Sequence, residues 1–315
     1  MMNCNTKLKS LVFALALGLA VPMAGHAAEQ KTFANPEDAI KALVEACKSS
    51  DDAPLTALFG ERYKHLFVTA DKAETAAARA KFLAALQSFQ TLETKGNDKR
   101  TLLLGDDAWP FPVPLVLEKG AWRFASELGE EELINRRIGS NERNALQVLN
   151  AYLDAQQQYA SRDRNGDEVR EYAQKIASSP GKQDGLYWPA DAAKGEETSP
   201  FGPLIAASEA YLKGHKAGDS FRGYHFRILT KQGKHAAGGA YNYIINGRMI
   251  AGFAMIAYPA EYGTGGVMTF LISHHGKIYQ KNLGPQTLKF AQQIQEFNPD
   301  ASWKKLEEPS QVAKK

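Results

Sequence analysis

Cysteine is nearly absent from this chain of 315 residues, which contains only Cys4 and Cys47. A disulfide framework is thereby excluded. An excess of one charge is lacking too. Lys and Arg number 38 against 35 Asp and Glu, a formal net charge of +3 with the two signs interspersed. That balance carries no electrostatic footprint of a nucleic-acid binder, so nucleic acid is not an expected partner. Catalytic signatures are equally scarce. The sequence holds no H-E-x-x-H, no Cys/His spacing suited to zinc and no G-x-S-x-G elbow. "GTGGV" (263–267) lacks the Gly-Lys-Ser/Thr of a phosphate loop and reads as a turn between strands. Only a triad whose members meet in space escapes such a reading.

Long hydrophobic runs are missing after about residue 25. The one run present, in "MMNCNTKLKSLVFALALGLAVPMAGHAAEQ", follows a short basic head (Lys7, Lys9) and ends in small residues. This is the pattern of a secretory signal peptide over 1–27, cleaved before Ala28, and its apolar part is too short for a stable span. Cys4 precedes the run, where it cannot serve as a lipid anchor. The expectation is an exported protein with no transmembrane anchor after cleavage. Loss of Lys7 and Lys9 lowers the formal charge from +3 to +1. Cys47 is then the lone thiol, and its spacing from Ile40, Leu43 and Val44 places it on the buried face of a helix.

About 288 mature residues suggest two domains. In "FANPEDAIKALVEACKSSD", Asn35 suits an N-cap, Pro36 the first helical position, and Glu37 and Asp38 the first turn. A second helix is expected over 73–89, with Phe82, Leu86 and Phe89 on one face. The period then changes. Strands are expected near 101–104, 112–118 and 121–126, with Lys119-Gly120 as a turn. The prolines of "WPFPVP" confine 109–114 to an edge or bulge. Trp122 and Phe124 alternate with Arg123 and read as core.

A long helix follows, over 130–161, with Gly139 as a site for a bend and Leu146, Leu149, Leu153 and Tyr159 or Ala160 as its apolar stripe. The charged run "GEEELINRR" reads as the joint between domains. "EVREYAQKIA" (168–177) is expected to be a short helix, and the Gly-, Pro- and Ser-rich 178–203 a long surface connection. In the last third, "GYHFRILT" alternates as a strand and Asn246-Gly247 marks a hairpin. Residues 249–258 are apolar on both faces, as in a central strand, and another hairpin turns at His275-Gly276. A final helix over 285–296 precedes a frayed tail, 306–315. The fold class expected is α+β: a small helix-plus-curved-sheet domain over 28–130, then, over 131–305, a long helix packed on an antiparallel meander of about five strands.

Three resemblances add to this. The segments "RRIGSNERNALQVLNAYLDAQQQYA", "DGLYWPA", "SPFGPL", "GYHFRILTKQG", "GGAYNYIINGRMIAGFAMIAYPAEYGTGGVMTFLISHHGKIYQKNLG" and "FNPDASW" together resemble domain-of-unknown-function family 2950. That resemblance implies an exported, periplasmic protein of a Gram-negative envelope and no particular reaction. "NERNALQVLNAYLDAQQQYA", an acidic loop, "GYHFRI" and "YPAEYGTGGVMTFLISHHGKIY" look like the globular heads of type IV pilins and pseudopilins. The charged "GEEELINRRIGS" stands where their apolar assembly segment would be, so any likeness concerns the head alone. The order of elements over 33–130 resembles nuclear transport factor 2-like domains, which often hold a pocket.

Among candidate sites, "SRDRNGDEVREYA" (161–173) places Asp163, Asn165 and Asp167 at alternate positions, with Glu171 as a fourth oxygen donor. Calcium is the cation such a loop would take, although Glu168 stands where the sharp-turn glycine belongs and Gln174 where a bidentate Glu is needed. Asp-Asn-Gly chemistry also makes an ordinary turn. His274 and His275, adjacent at a hairpin end, should point different ways and make a poor metal pair. Tyr187 and Trp188 in "DGLYWP" are either a binding surface, extended by Tyr224, Tyr258 and Tyr262, or a lid anchoring the connection to a sheet face. No other cofactor is expected. The reading is a non-catalytic binding or envelope-assembly module with an envelope protein or glycan as partner. The alternative is an envelope hydrolase or carbohydrate-active enzyme working through 184–203.

Overall fold

A computed structural model describes residues 30–67, 72–190, 192–202 and 220–307. The signal peptide expected over 1–27 and residues 308–315 of the expected tail lie outside the described residues, whereas Leu306, expected to fray, donates its amide to the Ile278 carbonyl at 2.9 Å. The chain divides into two compact units, Met1–Ser126 and Glu127–Lys315.

In the first unit, helix α1 (Pro36–Lys48) starts as its sequence dictates. The Asn35 side chain accepts from the Asp38 amide at 2.8 Å, Pro36 follows, and Glu37 and Asp38 occupy the positive end of the helix dipole. Ile40, Leu43 and Cys47 fall on its buried face. Helix α2 (Ala53–Phe59), a 3-10 turn (Glu61–Leu66) and helix α3 (Lys72–Ser88) complete the helical part. The strands are β1 (Gln90–Thr94), β2 (Lys99–Leu104), β3 (Trp109–Pro110), β4 (Leu115–Glu118) and β5 (Ala121–Phe124). They form one antiparallel sheet in the order β1-β2-β4-β5, with β3 also paired to β2. The prolines limit β3 to two residues, as their missing amides require. Lys119 and Gly120 turn at positive φ into β5, where Trp122 and Phe124 are buried and Arg123 pairs outward with Glu118.

One expectation fails here. Phe89 is 43% exposed, not part of the helix face. Helix α3 ends at Ser88, so the 3.6-residue period no longer aims Phe89 at the core. Strand β1 was not anticipated, because an edge strand with exposed faces has no apolar alternation to reveal it.

The second unit is built on helix α4 (Ser126–Tyr159), which runs through Gly139 without interruption. The charged run expected as a joint is helix, since Glu and Arg are good helix formers and Glu132 and Arg136 pair one turn apart at 2.7 Å. Its second half buries Ala145, Val148, Leu149, Tyr152, Ala155 and Tyr159, a stripe at helical spacing.

The strands are β6 (Tyr224–Leu229), β7 (Lys231–Gln232), β8 (Tyr241–Asn242), β9 (Ile244–Ile245), β10 (Arg248–Met249), β11 (Ala254–Pro259), β12 (Met268–Ser273), β13 (Ile278–Asn282) and β14 (Lys304–Lys305). Helix α5 (Thr287–Gln293) lies between β13 and β14. The main sheet is an antiparallel meander in the order β14-β13-β12-β11-β6. All six residues of β11 are buried, because it lies between β6 and β12, with α5 packed against it and Tyr152 of α4 donating to its Ala254 carbonyl. Its start at Ala254 shortens the central run expected from 249. Asn246 and Gly247, both at positive φ, join β9 to β10 in the tight turn their pairing predicts. The overall class is α+β.

Segment 168–177 is not a helix. Its amides go elsewhere: Tyr172 donates to Met249 at 2.8 Å, and Ala173 donates to the Gln156 side chain at 2.8 Å. Ala177 bridges Tyr187. A backbone committed to partners that distant cannot also close i to i+4 bonds. The same contacts show that the Gly/Pro-rich connection after it is partly strapped to the unit.

Candidate functional site

A concavity of about 650 Å³ in the second unit lies along β12 and β13, α5 and the segment leading to β14. Its walls follow from local chemistry. Asn282 accepts from the Gly284 amide at 2.8 Å, and Gly284 turns at positive φ to start α5, where the Thr287 hydroxyl donates back to Gly284 at 2.6 Å. Arg227, reaching from β6, closes the other end of α5 by donating to the carbonyls of Ala291 (2.9 Å) and Ile294 (2.6 Å). A cation at those last carbonyls satisfies acceptors the helix leaves open. Phe297 is buried beyond α5 and exchanges backbone bonds with Lys231 and Gly233. A Cβ at Gly233 would overlap the side chains of Asn298 and Glu296, so a larger residue there would have to displace them.

This scaffold brings Trp303 and the exposed Phe290 to the groove with Lys281, Gln293, Asn298 and Asp300. Lys281 donates to the Ser302 hydroxyl at 2.7 Å and sits 5.8 Å from the Trp303 ring centre. The Ser302 hydroxyl and amide donate to Asp300 and hold its carboxyl below the usual carboxylate range. Asp300 therefore stays ionised near neutrality and is no proton donor there. Flat apolar rings beside amides, a lysine and carboxylates can take a ligand with apolar faces and many hydroxyls or amides. None of these residues stood out in the sequence. The signal that would have found them is a tryptophan in a polar stretch, "FNPDASW", which otherwise has no reason to carry one.

The residues that did stand out are scattered. Trp188, Tyr224 and Tyr258 are buried and belong to the core of the second unit rather than to a surface. Trp188 donates its ring nitrogen to Glu197 at 3.0 Å, and the Tyr224 hydroxyl donates to Met268 at 2.9 Å. Tyr187 and Tyr262 are half-buried, and Tyr187 is tied by its backbone to Ile176 and Ser178. The "DGLYWP" stretch thus serves as the anchor of the connection.

In the 163–171 loop, Asp163 accepts from the amides of Asn165, Gly166 and Glu168 at 2.7–3.1 Å, which hold its pKa down. Asp167 pairs with Arg248, and Glu171 accepts from the Asn165 side chain at 3.2 Å. The oxygens a cation would need are engaged in turn bonds. Among the described residues no group of three or more His, Cys, Asp or Glu is placed to hold a metal.

His274 and His275 do not point apart. Their rings lie 4.1 Å from each other, because the strand ends at Ser273 and the turn at Gly276 breaks the alternation. Burial first, and then His275, lower the pKa of His274, which lies 3.5 Å from the Tyr241 hydroxyl. The half-buried His274 ring packs edge-on against Tyr243 and Phe253 at the sheet end.

A family profile described as "Protein of unknown function (DUF2950)" matches residues 30–306. No curated protein and no solved structure matches the chain.

Proposed function

The chain belongs to this DUF2950 family, and from that premise we propose that it is a non-catalytic binding protein of the cell envelope that takes a glycan at the Trp303 groove. The observation that carries the reading is the pairing of Trp303 and Phe290 with the amides of Gln293 and Asn298 and the carboxylate of Asp300 in a groove of about 650 Å³. A sugar ring offers an apolar face to an aromatic ring and hydroxyls to the polar groups around it. The N-terminal "LVFALALGLAVPMAGHA" supports export to the periplasm of a Gram-negative cell. A helix lying on an antiparallel meander supports likening the second unit to a pilin head. Helices beside a small antiparallel sheet support likening the first to nuclear transport factor 2-like domains.

The test is calorimetric titration of the full chain with soluble oligosaccharides of N-acetylated amino sugars. Saturable binding, weakened about tenfold or more in Trp303→Ala, supports the reading. Absence of binding, with crosslinking in intact cells capturing a protein at Phe290, would move the site to a protein partner. Release of new reducing ends would establish the hydrolase alternative instead.

A further inference from the structure

The first unit contains a second, separate cavity that the groove reading does not use. It has a volume of about 230 Å³ and is walled by Leu43 and Cys47 of α1, Leu55 and Phe59 of α2, Phe67, and Phe82 of α3, with Phe111 behind. Every one of these side chains is apolar in its behaviour. The Cys47 thiol is pushed up to about 11 by burial, so it stays protonated and acts as a small hydrophobe.

The exception is Arg79, which also lines the cavity while its side chain is only 10% exposed. Its terminal nitrogens are spoken for: one donates to the Ser49 carbonyl at 2.8 Å, the other to the Asp52 carboxylate. Its Nε is buried and has no partner. A cavity of this kind is unfavourable twice over. Its apolar walls forgo dispersion contacts, and a charged donor is left without an acceptor.

We infer that this cavity is a binding site for a small, uncharged apolar molecule bearing one hydrogen-bond acceptor, a ketone or ester about the size of a substituted benzene ring. The size follows from the volume, since an apolar cavity of about 150 Å³ already admits benzene. The acceptor follows from Nε, the one guanidinium nitrogen that has no partner. Lack of charge follows from Asp52, which already offsets the guanidinium and would repel a carboxylate. The site is independent of the Trp303 groove, so either can fail without the other.

The experiment titrates the full chain with acetophenone, ethylbenzene and benzoate and follows the Arg79 Nε–H resonance by nuclear magnetic resonance. Acetophenone should shift that resonance and bind about tenfold more tightly than ethylbenzene, the margin of one hydrogen bond to a charged donor. Benzoate should bind more weakly than acetophenone. Arg79→Lys, which keeps the charge near Asp52 and removes Nε, should erase the preference for acetophenone. Cys47→Leu, which narrows the cavity, should weaken binding of both, and unchanged affinities would place the ligand elsewhere. Equal affinity for acetophenone and ethylbenzene, an unmoved Nε–H resonance, or a preference that survives in Arg79→Lys would each overturn the inference. If Arg79→Lys does not fold, the resonance in the unsubstituted chain decides the matter.

Discussion

Gln156 holds Ala173 by both of its backbone groups: its amide nitrogen donates to the Ala173 carbonyl and its oxygen accepts from the Ala173 amide, each at 2.8 Å. The clamp is fully buried, and the same nitrogen also donates to the Tyr152 hydroxyl at 3.0 Å. It fixes the segment after the acidic loop against α4 and forbids that segment a helix. Gln156→Leu leaves an amide and a carbonyl buried without partners, at about 1–3 kcal/mol each. The expected loss is about 2–6 kcal/mol of unfolding free energy, read by chemical denaturation.

Gly266 lies under the Tyr224 ring. A Cβ there would sit 2.7 Å from two ring carbons, and Tyr224 is fully buried. Gly266→Ala should cost about 1–3 kcal/mol through forced overpacking. Gly263→Ala supplies the control, because nothing lies within 4 Å of its Cβ and only its positive φ is strained. That strain is about 1–2 kcal/mol. Combining Gly266→Ala with Tyr224→Ala should cost less than the two losses added, whereas Gly263→Ala should combine additively.

Asp184 titrates below the usual carboxylate range, first through Lys175 at 2.7 Å and then through the Ser179 amide at 2.7 Å. A depressed folded pKa stabilises the protein above the unfolded value of about 3.9, and the benefit is lost as pH falls through the folded value. Asp184→Asn should therefore lower the melting temperature at neutral pH. The gap between variant and parent should narrow as the solution becomes strongly acidic, and a constant gap would contradict this linkage. The effect should be modest, since the Asp184 side chain is 35% exposed and screened by water.

Millimolar calcium should leave the melting temperature where chelator leaves it. Asp163 gives its oxygens to three amides, and Asp167 gives its own to Arg248 and the Val169 amide. A ligand that binds the native state raises stability, so a calcium-dependent rise, removed by Asp163→Ala, would show that the loop reorganises into a site.

Much of the fold was legible because its causes are local. The Asn35 cap with Pro36, the Asn246-Gly247 turn and the alternation of Trp122 and Phe124 each act over a few residues, where backbone sterics and side-chain period decide the outcome. The acidic loop shows where that reading ends. Asp163, Asn165 and Asp167 drew notice, yet the residue that secures the loop is Arg164. Its side chain is 6% exposed, and its guanidinium lies 4.9 Å from the Tyr159 ring centre and 5.1 Å from that of Trp188. Nothing in the local sequence distinguishes Arg164 from Arg162.

The sequence by itself determined the class of the protein: helices followed by antiparallel hairpins, a buried Cys47, and a meander with an apolar strand at its heart. Tertiary structure alone decided that Gln156 would meet Ala173, that Tyr224 and Trp188 would be core, and that Leu271, Phe290 and Trp303 would share one groove. The physical reason is range. Capping, turn chemistry and periodicity are interactions between neighbours in the chain, whereas a cavity exists only where distant side chains fail to fill the space between them.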